Sequence, residues 1–361
     1  MTSGLEGIVV AQTILSEVDG VQGRLIVRGH SIEELTGNLT FEAMAALLWQ
    51  GLSNRAESET QLRQSLGSAR VAAYQALEAI FPATARLSEI EGLRLGLSAL
   101  SDDSALPHHL LLTAAVPLLL AATSRIKAGL APLSPDPELG HVADFLRMLR
   151  GRRAPQAEEN ALEAYLVTVA EHGMNASTFT ARVIASTQAG TISAVVGALC
   201  ALKGPLHGGA PGPVLDMLDA IENPENIPTW LQGELAAGRR LMGFGHRIYR
   251  VRDPRADVLK GQVAKLRDAG NARLEFAERL EREAIAMLSR HKPDRPLQTN
   301  VEFYTALLLE AVGLPRPLFT PVFAMGRVLG WTAHVLEQTQ SGRLIRPQSE
   351  YVGPRPEACP A

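Results

Sequence analysis

A few histidines and arginines and one carboxylate stand out in this chain by type and setting. His207 sits in Gly204-Pro-Leu-His-Gly-Gly-Ala-Pro-Gly-Pro213. Glycines permit positive φ and let a ligand come close to the backbone. A histidine held in such a loop can donate to an oxygen that gains negative charge. The same run also reads as a turn between helices with an exposed histidine. His246 sits in Met242-Gly-Phe-Gly-His-Arg-Ile-Tyr-Arg-Val-Arg-Asp-Pro-Arg255. Its Gly243/Gly245 pair is not a dinucleotide-binding fingerprint. Pro254 suits the first helical position, which puts Arg255 in the first turn. A cation there opposes the helix dipole at a cost of ~0.3–1 kcal/mol. That points either to an anion bound nearby or to a solvated arginine.

Arg327 lies in Phe323-Ala-Met-Gly-Arg-Val-Leu-Gly-Trp-Thr-Ala-His334. Its helical neighbours four residues away are Phe323 and Trp331, so it has no local acid. An unpaired buried guanidinium is costly, and either a distant acid or an anionic ligand must neutralise it. Gly326 and Gly330 leave room for another backbone. Glu302 follows Thr299-Asn-Val, and Thr299-x-x-Glu302 is a capping-box pattern with a purely structural reading. His172 ends a helix before Gly173 and can cap its carbonyls. His108-His109 have no partner at metal-ligand spacing and read as surface.

The elements that must position these residues are almost all helical. Ala, Leu, Glu and Arg recur, and aromatics are only 5% of the chain, a mix that favours helices over strands. Residues 8–29 carry β-branched runs on either side of Asp19-Gly20, a hairpin signal and the one convincing strand region. Helices with capping hydroxyls are predicted from Ser31 and Thr40. Further helices are predicted over residues 140–150, 157–171, 175–187, 191–203, 213–221, 254–269, 273–289, 301–312 and 321–338. The Ala/Gly/Ser content of 175–187 and 191–203 places those two at a helix–helix interface. The apolar run Leu110–Ala122 is interrupted by Pro117 and reads as too short to span a bilayer.

The 361 residues suit one large domain plus a smaller one. A formal net charge of -3 gives no nucleic-acid footprint, so an anionic ligand must be held by local arginines. Cys200 and Cys359 have neither metal spacing nor a disulfide framework. The start, MTSGLEGIVV, lacks the basic and apolar regions of a signal peptide. A cytoplasmic protein is expected.

Taken together, the segments resemble the citrate synthase family. Glu171-His-Gly-Met-Asn-Ala-Ser-Thr-Phe179, Gly204-Pro-Leu-His-Gly-Gly209 and Gly243-Phe-Gly-His-Arg with Asp253-Pro-Arg255 look like its three histidine motifs. Asn300-Val-Glu-Phe-Tyr304 stands where its carboxylate belongs. Phe319-Thr-Pro-Val-Phe-Ala-Met-Gly-Arg327 and Arg346-Pro-Gln-Ser-Glu-Tyr-Val-Gly353 close the pattern. Gly4-Leu-Glu-Gly7 and the hairpin match the short bacterial and archaeal form. The resemblance covers essentially the whole chain.

It implies a mainly α, two-domain homodimer with a small N-terminal β-hairpin. Residues 1–208 plus 311–361 would form the large domain and 209–310 the small one. It implies that His207 donates to the thioester oxygen of acetyl-CoA while Glu302 takes the α-proton. The enol attacks the ketone of oxaloacetate, which His246 polarises and then protonates. Arg255, Arg327 and Arg346, the last from the neighbouring subunit, would hold the two carboxylates, with His172 also in contact. Gly243, Phe244 and Gly245 would receive the CoA adenine, with Arg250 near its phosphates. Acyl-CoA is then a cosubstrate, with no permanently bound cofactor, no metal, no nucleic acid and no membrane. Two positions depart from the family pattern. Glu302 replaces the usual Asp, and Pro211 the usual Asn. A carboxylate misplaced by ~1 Å can cost ~100-fold. The alternatives are a 2-methylcitrate synthase using propionyl-CoA, separated by only ~1–3 kcal/mol in an apolar pocket, and a weakly catalytic paralogue that binds oxaloacetate or citrate.

Overall fold

The computed structural model describes residues 4–354 except 6, 55, 209–210, 267–271 and 294–296, and leaves the side chains of 211 and 341 undescribed. Gly209, Ala269 and Cys359, named above, lie outside the described residues, as does the side chain of Pro211. A small antiparallel sheet opens the chain: β1 (Ser16–Asp19), β2 (Arg24–Val27) and β3 (His30–Ser31), in the order β1-β2-β3. The helices follow: α1 (Ile32–Leu35), α2 (Phe41–Trp49), α3 (Glu59–Leu77), α4 (Glu89–Ser98), α5 (His108–Lys127), α6 (His141–Arg150), α7 (Gln156–Val169) and α8 (Ala176–Ser186). After them come α9 (Thr191–Leu202), α10 (Pro211–Ile221), α11 (Ile227–Ala236), α12 (Pro254–Lys265), α13 (Ala272–His291), α14 (Val301–Ala311) and α15 (Phe319–Ser341). The mainly helical class read from composition is the class observed.

The hairpin is shorter than the 8–29 span. Its register pairs Ser16 with Val27 and Asp19 with Arg24. Asp-Gly does not make a two-residue turn. The Asp19 carboxylate instead accepts from the Val21 and Gln22 N–H groups at 2.9 Å each, closing a longer loop around its own side chain. Leu15, Leu25 and Val27 bury the inner face. Ser31 caps α1 in a full capping box with Glu34, and Thr40 caps α2.

The core is built on α5 and α15. The first packs against α3, α4, α6 and α15, the second also against α7, α8 and α9. The proline that seemed to interrupt the apolar run sits inside α5, and His109 to Thr123 are buried without a break. Pro117 removes one helical donor and leaves the carbonyl four residues earlier without its partner, and the packing around α5 outweighs that loss. By length and composition alone α5 could cross a bilayer, but most of it is buried inside this fold. His109 is likewise no surface residue: it is buried with its ring edge-on to Trp49 at 4.8 Å. The amphipathic helices α3 and α4 and the short α11 have no counterpart in the sequence reading.

Helices α8 and α9 pack together, as their small residues suggested: a Cβ on Gly197 would stand 2.2 Å from Ile184 Cδ1. The Gly326/Gly330 pair lets α15 cross α7 backbone to backbone. A Cβ on Gly330 would lie 2.3 Å from the Ala170 carbonyl oxygen, and one on Gly326 2.9 Å from that of Leu166. Gly330→Ala is therefore expected to destabilise the fold by ~1–3 kcal/mol in urea melts. Gly233→Ala is the control, since none of the described residues lies within 4 Å of its Cβ position in α11. It is expected to stabilise by ~0.5–1 kcal/mol.

Candidate active site

Four short segments meet around one cluster: the turn after α7, the turn after α9, the loop from Met242 to Asp253, and the start of α14. The chain into α14 pairs with the glycine loop. Gly245 N–H donates to the Gln298 carbonyl at 2.7 Å, Asn300 N–H to the Gly243 carbonyl at 2.9 Å, and the Asn300 side chain to the Gly245 carbonyl at 2.8 Å. Gly243 and Gly245 need to be glycine, with φ of 82° and 83°. Phe244 lies between them with its ring 5.4 Å from that of Phe303.

The proton positions on two histidines follow from their partners. His207 Nε2 accepts from the Ser177 N–H at 3.3 Å and lies 2.9 Å from the Ser177 hydroxyl. A backbone N–H can only donate, so the ring proton is on Nδ1. Ser177 is itself fixed: its hydroxyl accepts from Trp331 Nε1 at 3.1 Å and lies 2.8 Å from Asn175 Oδ1, and with Nε2 unprotonated its one proton is free to turn to His207. His246 has the opposite tautomer. Its Nδ1 accepts from the N–H groups of Ile248 and Tyr249 at 3.0 and 3.1 Å, which leaves the proton on Nε2. Burial, with Arg327 and Arg247 nearby, pushes the His207 pKa down to about 4. Burial and then Arg255 do the same for His246, also to about 4. Both rings are neutral donors at pH 7. His246 Nε2 stands 3.5 Å from Arg255 Nη2. Donor faces donor there, and an oxygen acceptor would satisfy both.

Arg255 is in the first turn of α12, as read from the sequence, but it needs no outside anion. The α12 N-cap, Asp253, holds its Nε at 3.0 Å and its Nη2 at 2.8 Å. The same carboxylate accepts from Arg255 N–H at 3.1 Å and from Val301 N–H, at the start of α14, at 3.2 Å. Arg327 is different. It is 2% exposed and belongs to no ion pair among the described residues. Its Nε donates to the Val169 carbonyl at 2.7 Å, and its guanidinium lies 4.9 Å from the Phe323 ring centre. Burial pushes its pKa down to about 10, with Glu171 pulling the other way.

The capping box at Thr299 does not form. Asn300 is the α14 N-cap, accepting from the Glu302 N–H at 3.0 Å, and the Thr299 hydroxyl donates to Glu281 at 2.6 Å. Glu302 is thereby released from capping. Its Oε2 is buried with no hydrogen-bond partner among the described residues. Burial raises its pKa to about 7, with Arg255 and Arg327 opposing and Asp253 reinforcing.

His172 is buried too, with Nε2 3.1 Å from the Tyr249 hydroxyl rather than capping α7. Behind it, Glu171 Oε1 accepts from Gly173 N–H, the Ser16 hydroxyl and His334 Nε2 at 2.6, 2.8 and 3.1 Å. His334 in turn meets Arg182, which pairs with Glu337. Arg250 is exposed, with its backbone N–H on the Gly20 carbonyl. Arg346 is exposed and stands apart from the cluster. Its neighbour Ile345 donates to Ser186 at the far end of α8, ~14 Å along the helix from Ser177 at 1.5 Å per residue.

The family model described as "Citrate synthase, C-terminal domain" matches residues 4–348. "Putative citrate synthase 2" of Mycobacterium tuberculosis is 38% identical, over 98% of this chain and 94% of its own. The chain belongs to the citrate synthase family. A second relative in M. tuberculosis, named "2-methylcitrate synthase", is 35% identical over 99% of this chain and 92% of its own. The citrate synthase of Thermoplasma acidophilum, solved as a ternary complex with carboxymethyl coenzyme A and oxaloacetate, superposes with a TM-score of 0.86. It is 26% identical and covers 99% of this chain and 98% of its own.

Within this citrate synthase fold, His172, His207, His246, Arg255, Arg327 and Glu302 converge, and Arg346 does not. Sequence reasoning passed over Ser177, Asp253, Asn300 and Tyr249, although all four stand inside quoted motifs. Only the three-dimensional partners reveal their work. Glu302 also leaves a stability signature. Its raised pKa means the native state binds more protons than the unfolded chain between pH ~4.5 and ~7, so this residue's contribution falls as pH rises through that window and then levels. Glu302→Gln should gain stability relative to the native chain from pH 5 to pH 8, measured by urea melts. An unchanged difference across that range would place the carboxylate in water.

Proposed function

We propose that this enzyme condenses acetyl-CoA with oxaloacetate and water to give citrate and CoA. The observation that carries this reading is the pair of neutral histidines of opposite tautomer beside a carboxylate oxygen and a guanidinium that have, respectively, no hydrogen-bond and no ion-pair partner among the described residues. Glu302 is the base that takes the α-proton of the thioester. His207 donates from Nδ1 to the thioester oxygen as it gains charge, the term that makes so weak an acid removable. The enol carbon attacks the oxaloacetate ketone. His246 donates from Nε2 to that oxygen and protonates the alkoxide. Arg327 and Arg255 take the carboxylates, for which their planar fork is suited. The citryl thioester is then hydrolysed. Gly243, Phe244 and Gly245 receive the adenine of CoA, and Arg250 its phosphates.

The position of Arg346 at the far end of α8 supports a site completed by a partner subunit, with α8 and α9 at a two-fold interface. The chain then divides into residues 1–208 plus 311–361 and residues 209–310, with closure between them expelling water. We place the enzyme in the cytoplasm. A second reading, propionyl-CoA in place of acetyl-CoA, is favoured by the relative named 2-methylcitrate synthase. CoA release measured with each thioester and oxaloacetate decides between them. No release with either would leave only a binding paralogue.

Two substitutions test the roles. Glu302→Gln is expected to lower kcat by at least ~100-fold while oxaloacetate binding is retained, because only the proton-transfer step loses its partner. Full turnover would remove Glu302 from the mechanism. Arg327→Leu is expected to raise the oxaloacetate KM by at least ~10-fold with the fold intact, since a charge-assisted hydrogen bond contributes ~1.5–3 kcal/mol. A KM near that of the native chain would overturn the assignment.

A further inference from the structure

Tyr249 lies in the loop between His246 and Asp253 and is only 3% exposed. Three of the groups assigned to oxaloacetate touch it. Its backbone N–H donates to His246 Nδ1 at 3.1 Å, and its hydroxyl lies 3.1 Å from His172 Nε2. Its ring centre is 4.8 Å from that of His246 and 5.6 Å from that of His172, and the Arg255 guanidinium carbon lies 5.9 Å from it. Burial raises the tyrosine's pKa, so the hydroxyl keeps its proton. Burial, with Arg255 and Arg327, holds His172 neutral.

Among the described residues, that hydroxyl is the only side chain hydrogen-bonded to the His172 ring. An imidazole is nearly symmetric in shape, and packing alone discriminates poorly between its two flipped orientations. The hydroxyl on Nε2, together with a hydrogen bond between the ring and the backbone of His172 itself, distinguishes them. The N-terminal hairpin braces both ends of this bond. Ser16 holds Glu171 and Gly173 on one side, and Arg250 N–H donates to the Gly20 carbonyl at 2.8 Å on the other. A Cβ on Gly20 would stand 2.3 Å from the Ile248 carbonyl oxygen, so the hairpin tip lies directly on the loop that carries Tyr249.

We infer that Tyr249 is a positioning residue for oxaloacetate, acting through His172. This rests on the function proposed above. The hydroxyl fixes the His172 ring in the orientation that meets the substrate, while the backbone of the same residue fixes His246.

Calorimetric binding of oxaloacetate to four proteins tests it: the native chain, Tyr249→Phe, His172→Phe and the double variant, each checked by thermal melting. Tyr249→Phe keeps the ring and removes one hydrogen bond, so oxaloacetate should bind about 10-fold more weakly. The acyl-CoA KM should stay within about 2-fold. His172→Phe should weaken binding at least as much. The double variant should bind no worse than His172→Phe, because the hydroxyl has nothing left to act through. Losses that multiply in the double variant, or unchanged affinity in Tyr249→Phe, would overturn the inference and leave the proposed function standing. A native chain that binds no oxaloacetate would overturn both.

Discussion

A single carboxylate, Asp253, accepts from four N–H groups: three on Arg255 and one on Val301. The first three belong to the start of α12 and the last to the start of α14. Two helix N-termini and one guanidinium are thus neutralised by one charge. Glu302 follows Val301 in the chain, and His246 faces Arg255. The separation between the proposed base and the proposed ketone donor is therefore set by this ion pair. Removing Asp253 would leave a buried guanidinium and an orphan helix start together, which is the costly way to break a buried pair.

Around that anchor the site is polarised in opposite senses. His207 is forced to carry its proton on Nδ1 by a serine amide, and His246 on Nε2 by two loop amides. Neither choice depends on solvent, because the deciding donors are backbone groups. Both rings are kept neutral by burial and by neighbouring arginines. The same burial works against Glu302 and Arg327, whose charged forms it penalises. Among the described residues neither group has an ion-pair partner, as in a site that awaits a charged or charge-developing ligand.

Much of this was legible in the sequence because it rests on local pattern. The hairpin, the capped starts of α1 and α2, the close crossing at Gly326 and Gly330, and the absence of a local acid for Arg327 all follow from residues a few positions apart. Most of what was misread involves distant partners. Thr299 fits a capping box by spacing, yet Glu281 takes its hydroxyl and the cap moves to Asn300. Pro117 looks like a break, yet packing on all sides carries α5 through it. Arg255 looked uncompensated because Asp253, two residues earlier, was read as part of a motif rather than as its counter-ion. His109 looked exposed until Trp49 was seen against it.

The hairpin at the chain's start has a consequence for biosynthesis. Ser16 finds Glu171 only 155 residues later, and the loop that meets Gly20 is made later still. At ~5–20 residues per second, the first strands leave the ribosome on the order of ten seconds before the turn that Ser16 holds exists, with α1 and α2 available sooner, the latter through the Leu47 and Gln50 carbonyls that accept from the Arg28 side chain. Until then the small three-stranded sheet lacks the partners that tie it to the site, so final assembly of the histidine cluster falls after most of the chain has been translated. Nascent chains halted before the Met242–Asp253 loop would keep this sheet open to proteases, and its protection would mark the moment the site first closes.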